Sequence, residues 1–202
     1  MKNLFDHVSN CIAYHEPSPI GNGKAMRLYS KGHSEAIEEI SRLKINKIRY
    51  IMQNNNYHTY VETNHCFIKG FGFFISNYIS EEKIGVIIIK RDQTKIAKSL
   101  LRISCSPLTP DGRKWIITPT LKEPQIAPPA VLIFPKITFY IAYFLKFIFR
   151  CARFVIRKLF KKELQTPTFL SKYELDCLNW YLEETTERGK NFKKKFPNMK
   201  VL

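Results

Sequence analysis

KIGVIIIKRDQTKIAKSL, Lys83 to Leu100, is the stretch on which the reading of the fold turns. Val86 to Ile89 are four consecutive β-branched residues, the pattern of a strand buried on both faces in a parallel sheet. Asp92 fits a helix N-cap. Ile96, Leu100 and Ile103 then recur at helical spacing on one face, with Lys95, Lys98 and Arg102 expected on the outside. A turn from the carboxyl end of a strand into a helix start presents unpaired amides and the positive end of the helix dipole, so it favours an anion. Arg91 would add bidentate phosphate contacts, and Ser99, eight residues later, a hydroxyl from the second helical turn. An ordinary βα unit with an unrelated Arg satisfies the same spacing, and the pattern alone leaves both readings open.

Outward from this stretch the chain alternates. The patterning predicts a helix near 3–9, a strand near 11–14, a helix over 33–54, a strand over 58–62, a helix over 67–79, a strand over 84–90 and a helix over 93–103. That order implies an α/β fold, a parallel sheet flanked by helices, with ligands at the carboxyl ends of the strands. Glu16, Glu62 and Arg91 each follow a strand-like run and are expected at one rim. The glycine-rich piece Ile20-Gly21-Asn22-Gly23-Lys24 follows no clear strand and reads as a loop rather than a phosphate cradle.

The run from Arg91 to Ser99, an Arg at a strand end with a Ser at the eighth position beyond it, resembles the 3′-phosphate-binding segment of sulfotransferases. The likeness extends diffusely through YHEPSP (Tyr14 to Pro19), YVETNHCFIKGF (Tyr60 to Phe71) and LNWYLEETTERGKNFKKKFP (Leu178 to Pro197). It implies a P-loop NTPase-like, three-layer α/β/α domain that takes 3′-phosphoadenosine 5′-phosphosulfate (PAPS) as co-substrate, without a metal. The sulfuryl group would pass to a hydroxyl of a glycan, a lipid or a small metabolite. On this reading Arg91 and Ser99 hold the 3′-phosphate. Glu16 or His15 is the base for the acceptor hydroxyl, and His65 and Lys69 contact the acceptor or the sulfate. Each also has a plainer role: Glu16 as a ligand for backbone amides, His15 as a partly buried ring. Enzymes of this family begin with a strand and a P-loop of the type PKSGTTW, whereas this sequence opens at MKNLFDHVSNCIAYHEP. The expectation is a domain incomplete at its N-terminus, either a fragment, a mis-started reading frame or a degenerate relative, and Asn198 to Leu202 stops where a further strand would start.

Composition bounds the rest. A chain of 202 residues with 45% hydrophobic side chains is expected to form a single domain with a core of its own. A net charge of +16 points to acidic partners, which include a nucleotide, a sulfated or acidic glycan, anionic lipid and nucleic acid. Nucleic acid ranks last, because no helix-turn-helix, RRM or zinc-finger spacing is present. Five scattered cysteines without a CxxC pair argue for neither a disulfide framework nor a zinc site, and five histidines show no HExxH-type spacing. A reducing cytoplasm is the expected setting, with no N-terminal secretion signal.

Two further segments stand out. Seven of the eleven prolines lie between Pro107 and Pro135, so 104–129 is expected to be an extended connection or a cover over a bound nucleotide or acceptor. VLIFPKITFYIAYFLKFIFRCARFVIRKLFKK, Val131 to Lys162, is apolar but interrupted by Lys136, Lys146, Arg150, Arg153, Arg157 and Lys158. A core helix over the sheet, an interfacial helix on the inner membrane surface and a membrane span are the three readings, with the charges arguing most against the span. The second of these carries an alternative function, a non-catalytic basic protein of the membrane surface. Ser171 to Lys195 reads as an amphipathic helix with local ion pairs among Glu183, Glu184, Glu187 and Arg188, and with GKNFKKKFP as its solvated end.

Overall fold

The structure, a computed structural model, describes residues 5, 7–129 and 135–202. The helix expected near 3–9 and the beginning of the 131–162 segment fall partly outside them. Helices dominate, accompanied by two small parallel sheets, so the α/β class holds while a single larger sheet does not form among the described residues. The chain divides into two units. The first comprises Met1–Tyr29, His33–Ile88 and Arg188–Leu202, and the second Ser30–Gly32 and Ile89–Glu187.

In the first unit, strand β1 (Cys11–His15) pairs in parallel with β2 (Thr59–Thr63), in the register Cys11↔Thr59 to His15↔Thr63. Between them run the short helix α1 (Lys24–Ser30) and the long α2 (Glu35–Asn55). The Gly21–Gly23 piece is a loop, with both glycines at left-handed φ. Helix α2 turns Ile37, Ile45 and Ile48 inward and stops at Asn56, whose left-handed backbone lets its N–H return to the Met52 carbonyl. Where one helix over 67–79 was expected, Phe67–Phe71 forms a π-helical turn and α3 covers only Gly72–Ile75. Gly70 packs closely against Ile37, and a β-carbon at Gly72 would strike the Phe67 ring, so the turn is tightest at Gly72.

Strand β3 is Gly85–Val86, paired in parallel with β4 (Lys200–Val201). The strand expected over 84–90 is therefore much shorter and is not buried on both faces: Ile87 is 57% exposed and Ile89 65%. Its backbone finds one partner, prolonged by Lys200 N–H donating to the Ile84 carbonyl at 3.2 Å, Leu202 N–H to the Val86 carbonyl at 2.9 Å and Ile88 N–H to the Leu202 carbonyl at 3.0 Å. Ile45, Ile48, Phe71, Ile75, Val86, Phe192, Phe196, Met199 and Val201 form the core of this unit. Phe192 and Phe196 correct the reading of GKNFKKKFP as a solvated helix end: its lysines are exposed, but its two phenylalanines are buried.

The second unit holds α4 (Gln93–Arg102), α5 (Gly112–Trp115), α6 (Pro135–Phe160) and the greater part of α7 (Thr168–Lys195). Asp92 caps α4 as expected, its carboxylate accepting from Lys95 N–H at 2.8 Å. Ala97 is the deepest residue of α4, with Ile96 and Leu100 half-buried beside it, packed with Ile116, Leu178 and Leu182. Ile103 lies just past the helix and is exposed. A second cluster joins Leu108, Phe139, Ala142, Leu170, Tyr173 and Cys177.

The proline-rich segment is packed rather than loose. Ser106, Pro107, Leu108 and Ile116 to Leu121 are buried. Gly112 lies so close to the Ser106 carbonyl that a β-carbon would overlap it. Glu184, expected in a surface ion pair, is fully buried and accepts from the amides of Gln125 and Ile126 at 2.8 and 2.9 Å, while Trp180 Nε1 donates to the Ile126 carbonyl at 3.0 Å. Buried Glu174 accepts from Ser106 Oγ and from Lys146 Nζ, the latter at 2.7 Å.

Candidate active site

The carboxyl ends of β1 and β2 gather polar side chains because parallel strands in register release their following residues at the same edge. Tyr14 stands opposite Glu62 and His15 opposite Thr63. The ladder is prolonged by one bond, Glu16 N–H to the Thr63 carbonyl at 3.0 Å. There the chain departs from strand geometry: Glu16 has φ +45°, a left-handed conformation that costs a non-glycine residue about 1 kcal/mol and recurs at functional sites.

That turn brings Glu16 to His65. One carboxylate oxygen, Oε1, accepts from the His65 backbone N–H at 2.8 Å and from Nδ1 at 2.7 Å. The Glu16 side chain is only 12% exposed, whereas that of His65 is 70% exposed. With Nδ1–H directed at the carboxylate, the lone pair resides on Nε2, open to solvent. His15 lies alongside, its Nδ1 2.6 Å from Thr63 Oγ1 and its ring edge-on to that of His65 at 6.0 Å.

Beside this pair lies a buried charge pair that the sequence did not announce. Lys44, on α2, is almost fully buried and donates from Nζ to Glu62 Oε1 at 2.6 Å and to the Pro17 carbonyl at 2.8 Å, with the ammonium 5.6 Å from the centre of the Phe71 ring. Glu62 also accepts from Asn64 Nδ2 at 2.6 Å and from the Tyr60 hydroxyl at 2.9 Å. Burial, reinforced by the neighbouring Glu62 charge, pushes the Tyr60 phenol far above its ordinary value and keeps it a donor. Asn64 in turn accepts the Cys66 amide at 2.7 Å, fixing the loop that carries His65. The Cys66 thiol is raised by burial, with Lys69 and Lys44 pulling it down and Glu16 and Glu62 pushing it up. It is a neutral, inert thiol.

Of the residues singled out from sequence, His15, Glu16 and His65 meet at this rim together with Glu62. Glu16 serves as the ligand of a backbone amide and as the partner of an imidazole at once. Lys69 is buried, and its charge is felt at Cys66. Arg91 and Ser99 belong to the second unit: Arg91 is exposed just before α4, and Ser99 is half-buried within it. Because β3 pairs with β4 and not with β1 or β2, no shared sheet delivers Arg91 to the edge that holds Glu16 and Glu62. Lys44, Tyr60 and Asn64 are the supporting residues missed from sequence. Only the strand-end position of Glu62, a carboxylate needing a counter-charge if buried, pointed toward them.

Among the described residues, no three His, Cys, Asp or Glu side chains are grouped to hold a metal ion. Compared with protein-family models, curated proteins and solved structures, the chain matches none of them.

Proposed function

We propose that this chain is a sulfotransferase-like protein of P-loop NTPase-type, three-layer α/β/α descent, taking PAPS as co-substrate and a glycan, lipid or small-metabolite hydroxyl as acceptor. The observation that carries the proposal is the Glu16–His65 pair at the carboxyl edge of a parallel strand pair, a base oriented by a carboxylate and open to solvent. In the proposed step an acceptor hydroxyl gives its proton to His65 Nε2 as its oxygen bonds to sulfur. The bond from sulfur to the 5′-phosphate oxygen breaks, leaving 3′-phosphoadenosine 5′-phosphate (PAP). Glu16 keeps the imidazole in the right tautomer and stabilises the imidazolium. The base thus differs from the sequence expectation, which gave that role to Glu16 or His15 and made His65 a contact of the acceptor or sulfate; here His15 is a neighbour that can contact the acceptor. The nucleotide half rests separately on the second unit, where the helix dipole, the amides that Asp92 leaves free at the start of α4 and Arg91 favour a phosphate.

The two halves are tested separately. By calorimetry, PAP should bind the whole chain and lose at least about tenfold in affinity with Arg91→Ala, and less with Ser99→Ala, since a charged bidentate contact outweighs one hydroxyl. His65→Ala should leave PAP binding intact and abolish release of inorganic sulfate from PAPS to water, the simplest hydroxyl acceptor. A folded chain that binds no PAP would overturn the nucleotide half. Sulfate release unchanged in His65→Ala would overturn the base.

A further inference from the structure

Helix α6 (Pro135–Phe160) is two-faced in an unusual way, because apolar residues occupy both its packed side and its open side. Phe139 and Ala142, with the half-buried Leu145 and Phe149, face the core of the second unit. On the opposite side Ile137, Ile141, Phe144, Ile148, Val155 and Leu159 follow one another at helical spacing and are all exposed, with Phe154 still further out at 69%. Together these open side chains present roughly 800 Å² of apolar surface, above the ~300–600 Å² of the largest patch on an ordinary monomer.

Charge says what covers it. The helix carries no acidic residue. Lys146 is held by Glu174, and Arg153 donates to the Leu164 carbonyl and to Thr166 Oγ1, so both are anchored to the protein itself. Lys136, Arg150, Arg157 and Lys158 remain exposed, and at helical spacing they lie beside the exposed Phe147 and Phe154 rather than next to the Ile137–Leu159 stripe; Lys161 and Lys162 continue the series. An apolar ridge about 33 Å long on a helix whose free charges are all cationic fits a deformable anionic surface better than a protein groove. An open depression of this unit, lined by Ala127, Pro129, Asp176, Asn179, Trp180 and Glu183, involves no residue of α6. No helix of the described residues is long and apolar enough to cross a membrane, and the cations on the flank of α6 would be dragged into hydrocarbon if it did.

We propose that α6 docks the protein in the plane of an anionic lipid bilayer, its exposed Ile and Phe side chains inserted among the acyl chains and its Lys and Arg side chains reaching back to headgroup phosphates. This is independent of the proposed chemistry and survives if that fails.

The test uses the full chain and vesicles of phosphatidylcholine with or without about one-third phosphatidylserine. Expected are co-sedimentation with the anionic vesicles, at least about tenfold weaker partitioning at 0.5 M than at 0.1 M salt, and a similar loss in Arg150→Glu/Arg157→Glu. A Phe144→Ser/Phe154→Ser variant, altered only at exposed positions and so able to fold, should lose binding at low salt as well. An environment-sensitive dye on Cys151, exposed on this same helix, should shift to the blue on binding and be quenched by brominated acyl chains. Equal binding to neutral vesicles, or a Cys151 dye unmoved by lipid, would overturn the proposal. So would a lipid-free dimer that Phe144→Ser dissociates, accompanied by no vesicle binding, which would assign the face to a second copy of the chain.

Discussion

Replacing Lys44 by Met tests whether the rim of β1 and β2 rests on a buried ion pair. At 2.6 Å and an effective dielectric near 20, the gross attraction between Lys44 and Glu62 is about 6 kcal/mol. Most of that is offset by stripping water from both ions. Loss of one partner is a different matter, because the remaining charge stays desolvated without its counter-ion, at a cost of about 3–5 kcal/mol. Glu62 keeps the Tyr60 hydroxyl and Asn64 amide as donors, which places Lys44→Met toward the lower end, about 3 kcal/mol. Glu62→Gln strands the ammonium with the Pro17 carbonyl and a neutral amide and should cost about 2 kcal/mol. The double variant should fall short of the sum by at least about 1.5 kcal/mol. Urea unfolding followed by far-UV circular dichroism measures all three. Tryptophan fluorescence is the internal control, because Trp115 and Trp180 both lie in the second unit. Single variants that add within about 0.5 kcal/mol, or a Lys44→Met cost below about 1 kcal/mol, would refute the buried-pair argument.

Gly112→Ala should destabilise the second unit by about 1–3 kcal/mol or more, read as a lower urea midpoint by fluorescence, because the added methyl overlaps a backbone carbonyl that cannot swing away. Glu184→Ala strips the amides of Gln125 and Ile126 of a buried acceptor, so a loss of about 1–3 kcal/mol and a red shift of Trp180 emission are expected. Burial raises the Cys177 thiol to about 12. The unfolded thiol ionises near its ordinary value of 9.0 while the folded one stays protonated, so from there up to about pH 12 the unfolded chain binds fewer protons and stability falls as pH rises. Melting temperatures between those limits should decline less steeply in Cys177→Ala, and a parallel decline in both would count against the assignment. In native buffer a maleimide should label exposed Cys151 ahead of Cys66 and Cys177, both buried and held protonated.

What the sequence revealed follows what periodicity encodes. Helix α2 starts and stops within two residues of expectation, as does α4 with its Asp92 cap, because amphipathic spacing and capping chemistry are local properties. Strands β1 and β2 were legible for the same reason. The Val86–Ile89 run misled because β-branching reports a preference for extended backbone and says nothing of how many partners that backbone will find. One partner, β4, leaves Ile87 and Ile89 uncovered. Lys44 was illegible in EEISRLKINKIRY, where a lysine on a charged helix reads as solvent-facing; its burial depends on Glu62, eighteen residues away. Glu184 hid in an acidic helical stretch by the same logic, its partners being backbone amides of a distant loop. His15, Glu16 and His65 were found because strand ends in α/β order concentrate chemistry, but that Glu16 orients His65 depends on a left-handed turn that no spacing rule records.

The β3–β4 pair joins Gly85 to Lys200, and the core of the first unit is closed by Phe192, Phe196, Met199 and Val201. During synthesis, residues 33–88 therefore leave the ribosome long before the segment that completes their core exists. The stretch Ile89–Glu187, nearly continuous in sequence, can collapse first. Meanwhile Ile45, Phe71 and Val86 wait uncovered, across a loop whose closure must precede any gain from it. On that arrangement the part made first would be the last to close, and its apolar surface would be what a chaperone meets in the interval.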